Sequence, residues 1–162
     1  MNQADPDLYR DNPRSTARIG GHPIHPMLIP FPIALLVGAF VSDLLFLYFN
    51  QSTGFANASK WLLVTGIVTA LVAAVFGLID FMGDDRIRRL GHAIQHMIAN
   101  VSAVVVAIIN LAIRLGDDAA NISSLGVYLS GVTVLILIFS GWRGGDLVYV
   151  HRIGVHEPGT RP

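Results

Sequence analysis

Imidazoles are the commonest protein metal ligands and are costly to place in hydrocarbon. This chain has six: His22, His25, His92, His96, His151 and His156. Two sit in Gly21-His22-Pro23-Ile24-His25-Pro26. Each proline disfavours the α region in the residue before it, so both histidines are expected in extended or polyproline II geometry. Three residues per turn would then place them on one side. His92 and His96 lie four apart and stack on one helical face. With His96 as zero, His92 falls at about −40°, Asn100 at about +40°, Asn110 at about −40° and Arg114 at about 0°. Gln95 and Ser102 lie outside this arc. A polar stripe on an apolar helix must face the protein interior or water. His151 follows Gly144-Gly145, a pair expected to bend or break its helix and return His151 towards the other imidazoles. His156, beside Glu157 and Pro158, reads as a solvated tail residue.

The elements that carry these residues are membrane spans. A bilayer core of about 30 Å takes roughly 20 apolar residues in a helix. Four runs qualify: Met27 to Phe49, Trp61 to Met82, His92 to Ile113, and Leu125 to Trp142. Short connections force neighbours antiparallel, so the expected fold is an all-α, up-down four-helix transmembrane bundle. It divides the chain into a polar arm (1–26), a bundle (27–150) and a tail (151–162). In the second run Thr65, Gly66, Thr69, Ala73 and Gly77 share a face with Asp80. Small residues let helix backbones approach closely in lipid, so this face should point inward. Asp43, one or two turns from the outer end of the first run, is expected to bond a hydroxyl such as Ser130 or Thr133, or to serve a function of its own.

Orientation follows from Lys and Arg. The arm carries Arg10, Arg14 and Arg18, the second loop Arg86, Arg88 and Arg89, and the segment after the fourth run Arg143, Arg152 and Arg161. The other loops offer Lys60 and Arg114, which makes the asymmetry nine to two. Both termini are therefore expected on the cytoplasmic side of an inner membrane. That arrangement brings His22, His25, His92, His96, His151 and Asp80 to one leaflet, with Asp80 as a metal ligand, a partner for an imidazole, or a partner of the loop arginines.

Composition narrows the chemistry. The 162 residues are 52% hydrophobic and 14% charged, outside the usual range of a soluble domain. Zero net charge gives no reason to expect nucleic acid as a partner. The absence of Cys excludes iron–sulfur clusters, thiolate metal sites and covalently attached haem. No Ser-His-Asp order, phosphate loop or HExxH motif supports an enzyme. The polar start has no signal-peptide core.

The double His-Pro start, Phe31-Pro32-Ile33, Gly77-Leu78-Ile79-Asp80, His92 to Asn100, and Gly144-Gly145 to His151 resemble a bacterial membrane-protein family, domain of unknown function 2231. The resemblance runs from about Arg18 to Val155 and implies a four-span protein. Members of that family fused to Rieske or cytochrome c domains imply electron transfer. Three functions stay open at this level. The first is a b-type haem electron carrier with His96 and either His25 or His151 as axial ligands, and Arg86, Arg88 and Arg89 at the propionates. The second is a protein that binds a non-haem transition-metal ion through His22, His25, His92, His96, His151 and Asp80. The third is a metal-free assembly or pH-sensing subunit. Expected partners are the lipid bilayer, redox proteins and further copies of the chain.

Overall fold

The computed structural model describes residues 12–116 and 121–155. Arg10, His156, Arg161 and the outer parts of the arm and tail lie outside the described residues. A two-residue strand β1 (Arg18–Ile19) pairs antiparallel with β2 (His22–Pro23), Arg18 opposite Pro23. A short helix α1 (Ile24–Leu28) leads into α2 (Pro30–Tyr48). Then come α3 (Thr53–Gly83), the short α4 (Asp85–Arg88), α5 (Gly91–Arg114), a π-helical turn (Ile122–Gly126) and α6 (Val127–Tyr149).

Four segments are long and apolar enough to cross a membrane: Ile24–Tyr48, Thr53–Gly83, Gly91–Arg114 and Ile122–Tyr149. Helix α2 packs on α3, α3 on α5, α5 on α6, and α6 back on α2. The expected up-down bundle is therefore formed. Small residues form the seam of α5: Ala99, Ala103 and Ala107 recur every fourth residue along its buried face. Many large apolar side chains point outwards, among them Trp61, Val75, Ile98 and Leu135. In lipid the outward apolar surface is solvated, and close backbone approach supplies the helix–helix attraction.

Three local expectations are corrected. Helix α3 begins at Thr53, well before the apolar run, because Asn50 and Gln51 turn the chain at φ 50° and 58°. Polar residues can extend a helix beyond the hydrocarbon. Gly144-Gly145 do not break α6, which continues to Tyr149. His25 is helical, not extended, even though a proline follows it. It lies in the first turn of α1, where the missing Pro26 donor is tolerated, and its ring is anchored on another helix. His22 keeps extended backbone in β2, exposed, with Nδ1 bonded to the Gly20 carbonyl at 3.0 Å. The two histidines thus belong to different elements.

An apolar layer of Leu36, Ala39, Leu63, Ile67 and Ala107 crosses the middle of the bundle. On either side of it lies a polar network, one holding the histidines and one holding Asp43.

Candidate functional site

Four of the five histidines among the described residues form two pairs at one end of the bundle. His25 of α1 and His96 of α5 face each other, ring centroids 6.3 Å apart and planes at 84°. The His25 Nδ1 lies 2.8 Å from the Ala73 carbonyl on α3. A carbonyl only accepts, so this nitrogen carries a proton, and in the neutral ring the lone pair is on Nε2. His96 is held the same way, with Nδ1 2.8 Å from the Ser140 carbonyl on α6. Asn100 donates from Nδ2 to the His96 carbonyl at 2.9 Å and faces His96 Nε2 at 3.1 Å. The carbonyl contact fixes which end of that amide is nitrogen, so Nε2 of His96 is an acceptor as well.

Each ring occupies space opened by a glycine. A Cβ on Gly77 would come within 2.7 Å of the His25 ring, and one on Gly144 within 3.0 Å of His96. Gly144 therefore serves as the seat of His96 in a continuous helix. The small face expected on the second span has the same meaning, since Ala73 supplies the carbonyl and Gly77 the space.

The second pair is His92 and His151, with Nδ1 of one 2.8 Å from Nε2 of the other. One ring must donate and the other accept, so the intact pair holds at most one positive charge. The bond ties the segment after α6 to the start of α5. His22 stands apart from both pairs.

Asp80 is committed to the arm. Its Oδ1 accepts from Ser15 Oγ at 2.9 Å, from the Thr16 amide at 2.7 Å and from the Ala17 amide at 2.8 Å. Asp84 adds to the clamp, accepting the Arg14 amide at 3.3 Å and an ion pair from Arg86 at 2.8 Å. The Arg86 hydrogen bond holds the Asp84 carboxyl at about 2, below its ordinary 3.8. The stabilisation this gives is complete above the ordinary value and is lost as pH falls towards 2. Arg88 pairs with Asp85 and bonds the Met82 carbonyl, while Arg89 is exposed. Among the described residues no three His, Asp or Glu side chains gather as a metal site.

The clamp makes a direct prediction. Asp80→Ala removes three hydrogen bonds to a carboxylate, each of which contributes roughly 1.5–3 kcal/mol. Tryptic cleavage at Arg14 and Arg18 in membranes should accelerate at least about tenfold. Unchanged cleavage would show that the arm is held by something else.

The model of the family described as "Predicted membrane protein (DUF2231)" matches residues 21–157. The chain belongs to the DUF2231 family. No curated protein and no solved structure matches it. The family match spans both imidazole pairs and all four helices of the bundle, so DUF2231 membership and the structure agree on a membrane protein.

The second polar network lies beyond the apolar layer, and most of it is not evident from the sequence. Asp43, expected to bond Ser130 or Thr133, does accept from Ser130 Oγ at 2.6 Å. Its principal partner is Arg114, whose two terminal nitrogens reach the carboxylate at 2.8 and 2.7 Å. Nε of Arg114 bonds Asn110 at 2.9 Å, and the remaining donors reach Ser59 and Ser130 at 2.8 and 3.1 Å. All five N–H groups are satisfied, and both charged side chains are completely buried. The signal was present in the sequence, since Asn110 and Arg114 fall on the inward arc of α5.

Proposed function

We propose that this DUF2231 protein is a membrane-embedded b-type haem electron carrier in which His25 and His96 are the axial pair. The observation that carries the reading is that both Nδ1 atoms are bound to backbone carbonyls, which leaves both Nε2 atoms as lone-pair donors. Carbonyl-anchored imidazoles are the arrangement that orients metal-ligating histidines. Two imidazoles on one metal, with bonds of about 2 Å, stand roughly 6 Å apart between ring centres, close to the 6.3 Å found here. On this reading the Nε2 of His96 exchanges its Asn100 contact for the metal.

The number of ligands favours haem over a bare ion. A transition-metal ion held by protein alone takes three or more ligands, whereas haem iron asks for two axial groups. The haem would supply one-electron chemistry at its iron. The protein's part is to fix two rings from different helices and to hold the inner end closed with the arm. Arg86 and Arg88 already have carboxylate partners, which leaves Arg89 as the freer candidate for a propionate. The apolar layer separates this site from the Asp43 network, as suits a carrier working from one face.

The test is the visible spectrum of the purified protein with metal analysis of the same sample. A Soret band that shifts on reduction is expected. A colourless protein with stoichiometric metal would move the reading to a non-haem centre. A colourless, metal-free protein would leave a packing or pH-sensing role.

The same reading puts the histidine end on the cytoplasmic side of a bacterial inner membrane. Arg114, counted with the outer loops, is buried against Asp43, which leaves Lys60 as the outer cation of the nine-to-two asymmetry. Reporters fused at Gly54 and after Val155 should report opposite sides. Matching signals would refute the orientation.

A further inference from the structure

A shallow groove of about 520 Å³ runs along the outer side of α5 and α6, lined by Gln95, Ile98, Ala99, Ser102, Leu135 and Phe139 among others. It lies within the membrane-spanning segments, and none of its lining residues belongs to either polar network. Gln95 and Ser102 are seven residues apart, two helical turns, and so share one face about 10 Å apart along the axis. Gln95 is exposed there, about 6 Å along α5 from Gly91, and its amide makes no hydrogen bond with the described residues.

Two threonines of α3 are satisfied by their own helix. Thr65 donates to its own helix at the Trp61 carbonyl, 2.7 Å, and Thr69 to the Thr65 carbonyl, 2.9 Å. A glutamine in a helix cannot turn back on its own ladder so readily. Acyl chains offer it neither donor nor acceptor, and an unpaired amide in hydrocarbon is expensive.

We infer that this groove is the contact face of a homodimer in the membrane, with Gln95 of one copy bonded to Gln95 of the second. A carboxamide is both donor and acceptor, so it complements itself. Two copies inserted in the same direction are related by an axis along the membrane normal. That symmetry places each residue of the face at the same depth as its own counterpart, as an isologous contact requires. Ala99 lies between Gln95 and Ser102 and is nearly fully buried at 7% exposure, so the floor of the groove is low enough for a helix to approach.

The chain contains no cysteine, so single substitutions report proximity cleanly. In native membranes under oxidation, Gln95→Cys and Ser102→Cys should form disulfide-linked dimers. The depth-matched α3 variants Ile79→Cys and Val72→Cys, at outward positions, should not. Gln95→Leu should weaken dimerisation measured by energy transfer in vesicles roughly 3- to 30-fold, the range for an interhelical hydrogen bond in lipid. Gln95→Cys that cross-links no more than Ile79→Cys would overturn the proposal. So would equal labelling of the two by a lipid-soluble maleimide without dimer formation, which would assign the groove to lipid.

Discussion

Asp43→Leu should destabilise the bundle by about 3–5 kcal/mol, the cost of leaving one partner of a buried ion pair uncompensated. The hydrogen-bond network around it is closed. Asp43 accepts two bonds from Arg114 and one each from Ser59 and Ser130, so its removal strands four donors. Arg114→Met strands the carboxylate instead, and that variant should be the milder of the two. A carboxyl can shed its charge by taking up a proton, whereas a guanidinium keeps its charge at any accessible pH. The double variant Asp43→Leu with Arg114→Met should regain most of the loss, because replacing a buried pair by apolar groups is often neutral or favourable. Reversible unfolding in mixed micelles, run as a double-mutant cycle, measures all three. Single variants costing less than about 1 kcal/mol, the level of an exposed pair, would show that the pair is hydrated.

The sequence carries half of that network in plain view. Asn110 and Arg114 share the inward arc with His96, and Ser130 stands among the expected partners of Asp43. What conceals the pair is the position of Arg114 at the end of an apolar run, where a cation ordinarily reaches the headgroups. Helix periodicity states a direction but not a depth, and it does not say which of three other helices stands opposite. The same limit applies to the histidines. Antiparallel spans bring them to one leaflet, yet the division into His25 with His96 and His92 with His151 depends on rotation about each helix axis. That rotation is set by Gly77 and Gly144, whose missing side chains admit the rings. Glycine at such a position looks in sequence like a break, because a helix penalty of about 1 kcal/mol is visible there and the ring it accommodates is not.

That seating also determines what should happen when the imidazoles are removed. If His25 and His96 are the axial pair, His96→Ala and His25→Ala should each abolish the low-spin haem spectrum. His92→Ala should retain it, because His92 is bonded to His151 outside the proposed pair. The bundle itself should survive. His96→Ala leaves the Ser140 carbonyl and the Asn100 amide short of a partner, a cost of roughly 1–3 kcal/mol each, while the Ala99, Ala103 and Ala107 seam and the Asp43 network lie elsewhere. Gly144→Ala gives an independent approach to the same atoms. Its methyl group would press on His96 at 3.0 Å and tilt the ring, so the spectrum should change without loss of any ligand atom. Circular dichroism and size-exclusion profiles matching the parent would confirm that these variants still fold. Full haem retention in His96→Ala would remove His96 from the axial pair. Haem loss in His92→Ala equal to that in His96→Ala would transfer the assignment to the outer imidazole pair.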